Sequence, residues 1–220
     1  MLANEQNLLG LLGRQNAQFV IPVYQRVYSW TERQCEELWA DLQRCGAAKK
    51  AHFVGTILYT EELGSERCEC LLDLIDGQQR IATITLLLLA LRNALRDGKV
   101  KLGGITAEEI DQRYLHVNDA KDAPLKLLLS RGDRDTLAAL VDGGKLPSQD
   151  DISTYLTDNL AFFESHMTTQ RAVDEIWAGL QRLYTIAAQL EGDDQPQLVF
   201  ESLNSKGMPL RPSDLIRNLL

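Results

Sequence analysis

The sequence lacks the signatures of several common chemistries. It has no Gly-x-x-x-x-Gly-Lys-Ser/Thr loop, which excludes a P-loop nucleotide enzyme. It has no Gly-x-Ser-x-Gly elbow, so an α/β-hydrolase serine is also excluded. The four cysteines, Cys35, Cys45, Cys68 and Cys70, form no Cys-x-x-Cys pair and have no histidine at zinc-site spacing, so they read as buried or incidental free thiols. His52, His116 and His166 are scattered and form no nuclease or metal motif. Basic charge is not in excess: 23 Lys and Arg face 31 Asp and Glu, a net charge of −8, which argues against a domain that holds nucleic acid by charge alone. The longest apolar run, Ile81 to Leu91, is too short to span a bilayer, and the polar start Met1-Leu2-Ala3-Asn4-Glu5 has no basic signal-peptide region. Together these absences predict a cytoplasmic protein with no membrane partner.

What is present is ordinary in bulk and informative in detail. With 220 residues, 45% of them hydrophobic and 25% charged, the chain is long enough for one compact domain or two small ones sharing a core. The most informative stretch is Leu71-Leu72-Asp73-Leu74-Ile75-Asp76-Gly77-Gln78-Gln79-Arg80. It reads as an apolar strand ending in Asp-Gly, followed by a long apolar helix. Gly77 permits a tight turn and close approach of a ligand. A helix start offers unpaired N–H groups and the positive end of the dipole, and Arg80 adds a planar cation, so the corner is suited to phosphate. Gln78 or Gln79 is placed to orient a water, and Asp76 to hold Mg²⁺ directly or through water. An ordinary strand–helix corner, with Asp76 as cap and Arg80 in a surface ion pair, accounts for part of the same pattern.

Three more segments stand out. Ile21-Pro22-Val23-Tyr24-Gln25-Arg26-Val27-Tyr28-Ser29-Trp30 crowds aromatic, amide and guanidinium groups into a loop entered at a proline. Its aromatics could be core filler, but Tyr24, Gln25 and Arg26 suit base stacking and phosphate pairing better. In His52-Phe53-Val54-Gly55, the glycine marks a strand bulge or a place where a ligand comes close. In Phe200 to Leu210, Gly207 reads as a helix C-cap, which leaves Asn204 and Lys206 free to face a site.

The periodicity predicts the following elements. Gln18–Pro22 is extended. A capping box at Thr31–Gln34 starts a helix near Glu32, with Gly46 as its stop. Strands cover His52–Thr60 and Cys70–Ile75, joined by a turn at Gly64-Ser65-Glu66, and a helix runs from Gln78 to Arg96. Beyond about residue 100 the chain reads as almost all helix: a second capping box at Thr106–Glu109, helices near Asp133–Val141, Ile152–Met167 and Arg171–Leu190, and a last helix capped by Ser213. The third of these rests on the stripe Val173, Ile176, Trp177, Leu180, Leu183, Tyr184 and Ala187. Tyr114–Val117 and Leu125–Leu129 are candidate short strands. The expected division is a mixed α/β part over 1–100 and a helical part over 101–220 packed on it. The apolar end Asp214-Leu215-Ile216-Arg217-Asn218-Leu219-Leu220 reads as a helix cut in mid-course, so the chain is expected to be a fragment of a longer protein.

In this order, the segments resemble the N-terminal domain of GmrSD-type modification-dependent restriction enzymes. The resemblance rests on Ile-Pro-x-Tyr-Gln-Arg-x-Tyr-x-Trp at Ile21–Trp30, Trp39-x-Asp41, His52-Phe-x-Gly55, Asp76-Gly-Gln-Gln-Arg80 with Thr83, and Leu203-Asn-Ser-Lys-Gly207 with Asp214-Leu-Ile-Arg217. It implies an α+β fold: a small mixed, ParB/sulfiredoxin-like sheet with helices, followed by a mainly helical subdomain. It also implies an NTPase that governs cleavage of modified DNA in phage defence, with an HNH-type nuclease domain normally following; nothing in this chain matches that domain. The expected ligands are then a nucleoside triphosphate and Mg²⁺, with modified DNA engaged through the full-length protein. The catalytic candidates are Asp76, Gln78, Gln79 and Arg80. The nucleotide-binding candidates are Tyr24, Gln25, Arg26, Gly55, Gly77, Thr83, Asn204 and Lys206. A non-catalytic nucleotide-gated DNA-binding module, a protein-interaction module, a homo-oligomer and a partner nuclease subunit stay open.

Overall fold

The structure, a computed structural model, describes residues 2–65, 68–117 and 123–191. Among these it is α+β, as expected, with a six-stranded mixed sheet and seven α-helices. The strands are β1 (Leu2–Asn7), β2 (Ala17–Val20), β3 (His52–Ser65), β4 (Cys68–Asp76), β5 (Leu127–Leu128) and β6 (Leu183–Leu190), in the order β1-β6-β3-β4-β2-β5. β3 and β4 form an antiparallel hairpin, while β2 runs parallel to both β4 and β5. The C-terminal ends of β2, β4 and β5 therefore point the same way.

The helices are α1 (Leu8–Leu12), α2 (Glu32–Ala48), α3 (Gln78–Arg96), α4 (Ala107–Ile110), α5 (Arg131–Asp142), α6 (Thr154–His166) and α7 (Gln170–Leu180). α3 is the centre of the molecule. Every residue from Ile81 to Leu91 is buried, as a helix apolar all round requires. Its side chains join Phe19, Leu72 and Leu74 of the sheet in one core cluster. A smaller cluster, Leu58, Ile75, Ala188 and Leu190, packs with Ala3; Ile57 and Leu58 fall in different clusters because neighbouring strand residues face opposite sides.

Several expectations are corrected. The helix expected over Arg171–Leu190 is α7 up to Leu180 and then β6. Leu183 to Leu190 is mostly buried because β6 lies inside the sheet, between β1 and β3, and feeds both core clusters, Leu183 and Ala187 one and Ala188 and Leu190 the other; a strand covered on both faces loses its alternation. The chain beyond residue 100 is thus not all helix: β5 and β6 both enter the shared sheet. Tyr114 and Leu115, expected in a strand, belong to a π-helical turn, Asp111–Leu115, with His116 bridging Leu125. That turn is pinned by the buried Arg92, which donates to Asp111 Oδ1 (2.5 Å) and Val141 O (2.9 Å). Gly46 does not stop α2, which ends two residues later at Ala48 with a left-handed Lys49 as its cap; it lies instead where α2 crosses α7. β1 and α1 were not anticipated; Asn7 caps α1 by accepting from Gly10 N–H (3.0 Å).

Candidate functional site

Asp76, Gly77, Gln78, Gln79 and Arg80 form the corner between β4 and α3. Gly77 caps the helix with φ +93°, a left-handed conformation, and a Cβ there would stand 2.4 Å from Ile57 Cδ1. Turn and close packing both demand glycine. Arg80 folds back beneath the corner: Nη1 donates to Val54 O (2.8 Å) and Nη2 lies 3.4 Å from Asp76 Oδ2. It rests on Gly55, where a Cβ would sit 2.0 Å from Nη1. Gly55 has φ +98° and lies in the register break of β3 against β6, with its carbonyl accepting from Thr185 Oγ1 (2.7 Å). The glycine is both a bulge and the seat of the guanidinium. Burial pulls the Arg80 pKa below its ordinary value, and Asp76 opposes the shift.

The two glutamines clamp the loop after β2. Gln78 Nε2 donates to Gln25 Oε1 (3.2 Å), and Gln25 Nε2 donates to Ile75 O (3.1 Å). Both polar atoms of the Gln79 amide are engaged: Oε1 accepts from Ser29 N–H (2.9 Å) and Nε2 donates to Val27 O (3.2 Å). Thr83 is buried, bonding Tyr28 Oη (2.7 Å) and donating to Gln79 O (2.9 Å). Burial raises the Tyr28 phenol pKa above its ordinary value. Tyr24 and Arg26 project outward; Tyr24 is 77% exposed and neither side chain has a bonding partner among the described residues.

The structure therefore gathers Asp76–Arg80, Gly55, Gln25 and Thr83 at one corner, with Tyr24 and Arg26 on its open side. Asn204 and Lys206 lie outside the described residues. So do Ser213, Gly207 and Asp214, and the turn at Glu66. Other parts of the sequence pattern also meet: Asp41 Oδ2 lies 3.4 Å from His52 Nε2.

Residues not anticipated complete the corner. Ser130, just after β5, caps α5, and Asp133 in its first turn is buried and accepts from Tyr28 N–H (2.6 Å). Asn159 of α6 donates to Tyr28 Oη (2.9 Å) and Trp30 O (2.8 Å). The signal was available in Leu129-Ser130-Arg131-Gly132-Asp133, which repeats the order strand, cap, helix seen at Asp76–Arg80. Beside the corner, a cleft of ≈ 720 Å³ runs between Val27 and Tyr28, the start of α5 and Pro147–Tyr155.

Among the described residues no three His, Cys, Asp or Glu side chains cluster as a metal site. Of the corner's two carboxylates, Asp133 is buried against Tyr28 N–H, which leaves the part-exposed Asp76 to meet an ion. A single carboxylate suits Mg²⁺ only where phosphate oxygens and waters supply the rest of its shell. No helix among the described residues is long and apolar enough to cross a membrane.

Fold and site together define an α+β domain whose candidate corner lies at the carboxyl ends of the parallel strands β2, β4 and β5, the end at which parallel sheets commonly offer a ligand crevice. The family model described as the GmrSD restriction endonuclease N-terminal domain matches residues 8–220, and the chain belongs to that family. No curated protein matches it.

Proposed function

We propose that the chain binds and hydrolyses a nucleoside triphosphate at the Asp76–Arg80 corner, as the regulatory domain of a modification-dependent DNA restriction protein whose DNA cleavage resides in another domain. The observation that carries this reading is the convergence at one corner of a positive-φ glycine, a helix start and the loop bearing Tyr24, Gln25 and Arg26. The first N–H groups of α3 and the exposed Arg26 would hold phosphate, and Tyr24 would stack on the base. Gln78, held by Gln25, would orient the attacking water. Asp76, oriented by Arg80, would hold Mg²⁺, which would supply charge neutralisation for the phosphate. Gln79 and Thr83 act by fixing the loop over the corner.

A second reading, nucleotide-gated binding without turnover, is favoured by one observation: both polar atoms of the Gln79 amide are tied to the loop, at Val27 and Ser29. Hydrolysis and binding measured on wild type, Asp76→Ala and Gln78→Ala separate the two. The first reading expects wild-type turnover, reduced at least tenfold by Asp76→Ala with binding largely kept. Binding without turnover in wild type supports the second. If no nucleotide with Mg²⁺ raises the melting temperature, both fall.

A further inference from the structure

A second cleft lies at the opposite end of β2 and β5, where these strands begin. Its volume is ≈ 540 Å³, the size class of a small-molecule site. Lys126, the residue before β5, lines it and is 2% exposed. Its ammonium donates to the Arg14 carbonyl, and no carboxylate pairs with it among the described residues. Buried ammonium groups ordinarily have an anionic partner, because desolvation is costly without one. Arg113 lines the same cleft and is likewise without a carboxylate, its guanidinium 5.4 Å from the centre of the Tyr114 ring. Gly13 makes room for it: a Cβ there would stand 2.9 Å from Arg113 Nε. The side-chain amides of Gln15, Asn16 and Gln112 line the remainder and have no partner among the described residues. The one lining carboxylate, Glu109, accepts from Thr106 N–H (2.7 Å) at the start of α4. Among the described residues, two cations without counter-ions and three amides without partners thus line one nucleotide-sized space.

We propose that this cleft is a second anion site, which takes the phosphate of a nucleotide-sized phosphate ester between Lys126 and Arg113 and its sugar or base on the Gln15, Asn16 and Gln112 amides. The site is separate from the Asp76–Arg80 corner, since β2 (Ala17–Val20) lies between them, with Asn16 before its start at one and the loop from Ile21 after its end at the other. The ester is either a free nucleotide or a nucleotide within a DNA strand; the chemistry recognised is the same. Burial lowers the Lys126 pKa to about 8, with Cys68 and Cys70 of β4 opposing the shift and Arg14 adding to it. Raising the pH through 8 removes the counter-charge, so the anion should bind less tightly at pH 9 than at pH 7.

The test is calorimetric titration of the 220-residue chain with inorganic phosphate, a deoxynucleoside monophosphate and a short single-stranded DNA. Wild type, Lys126→Met, Arg113→Gln and the corner variant Arg26→Ala are compared. The expected result is that wild type binds an ester more tightly than inorganic phosphate, and that the component of this binding due to the second cleft survives in Arg26→Ala, which removes only the corner's share. Lys126→Met and Arg113→Gln should each weaken that binding at least tenfold. Tighter binding of the monophosphate identifies a free ligand, and tighter binding of the oligonucleotide identifies a DNA strand. The proposal is overturned if wild type binds no ester at millimolar concentration, or if only Arg26→Ala loses binding. Unchanged affinity in Arg113→Gln, whose exposed side chain can change without threatening the fold, overturns it independently of how Lys126→Met behaves.

Discussion

Gly55 and Gly77 are positions where the corner depends on a missing side chain. A Cβ at Gly55 would fall 2.0 Å from Arg80 Nη1, and φ is +98°, so Gly55→Ala must displace the guanidinium and strain the backbone. The expected loss is about 2–4 kcal/mol, the sum of an overpacking and a left-handed penalty. Gly143 is the internal control: its φ is +70° but nothing lies within 4 Å, so Gly143→Ala should cost only about 1 kcal/mol. Urea denaturation of the two variants checks the difference; equal losses would mean that the Arg80 seat adds nothing. Lys126 gives a prediction of opposite sign. Its folded pKa, about 8, lies below the ordinary value of 10.5, so between these pH values the unfolded chain binds more protons and stability rises with pH. Replacing the buried ammonium by an apolar side chain of similar length should therefore stabilise the chain at pH 7 by roughly 1–3 kcal/mol. The gain should shrink as the pH approaches 10, which a melting series from pH 6 to 10 reads directly.

Among the elements, the crossing of α2 and α7 makes the sharpest demand on sequence. Gly46 and Gly179 face each other there: a Cβ at Gly46 would meet Glu175 O at 2.1 Å, and one at Gly179 would meet Leu42 O at 2.3 Å. Both obstacles are backbone atoms of the other helix, so relief requires the helices to separate. Helix propensity alone would favour alanine over glycine by about 1 kcal/mol. Packing reverses the sign, and Gly46→Ala and Gly179→Ala should each destabilise by about 2–4 kcal/mol in chemical denaturation. A stabilised Gly46→Ala variant would show that the helices can move apart freely. The same glycine shows why sequence reading failed at this element. Within α2 it looks like a terminator, because its reason for being glycine lies more than a hundred residues away. β6 failed for a related cause. Leu183, Tyr184 and Ala187 continue the helical spacing of α7 by coincidence, and a strand covered on both faces offers no alternation to contradict it. By contrast, Gln78–Arg96 was legible because Asp-Gly and an apolar run are local signals. The corner was legible to the same depth: Asp76–Arg80 and Tyr24–Arg26 stood out, while Asp133, Asn159 and Thr185 reach it only through long-range contacts.

For the whole molecule, the decisive fact is where β6 sits. It pairs Leu2–Asn7 on one side and His52–Thr60 on the other, so among the described residues β1 enters the sheet through residues 183–190. β5 likewise extends the parallel edge from a later part of the chain. The sheet that presents the Asp76–Arg80 corner is thus completed by segments on both sides of residue 100, and α3 is buried in one cluster with Phe163, Val173 and Ile176 of the later helices. A division into independently folding parts near residue 100 would leave β1 without its partner strand and expose the apolar surface of α3. Two consequences can be measured. The isolated segment 1–100 should show no cooperative melting transition. In the 220-residue chain, unfolding followed by backbone circular dichroism and by fluorescence of Trp30, Trp39 and Trp177 should give coincident curves, since these residues lie on both sides of the boundary. Two separated transitions, or a folded 1–100 segment, would show that the shared sheet does not make the described residues one cooperative unit.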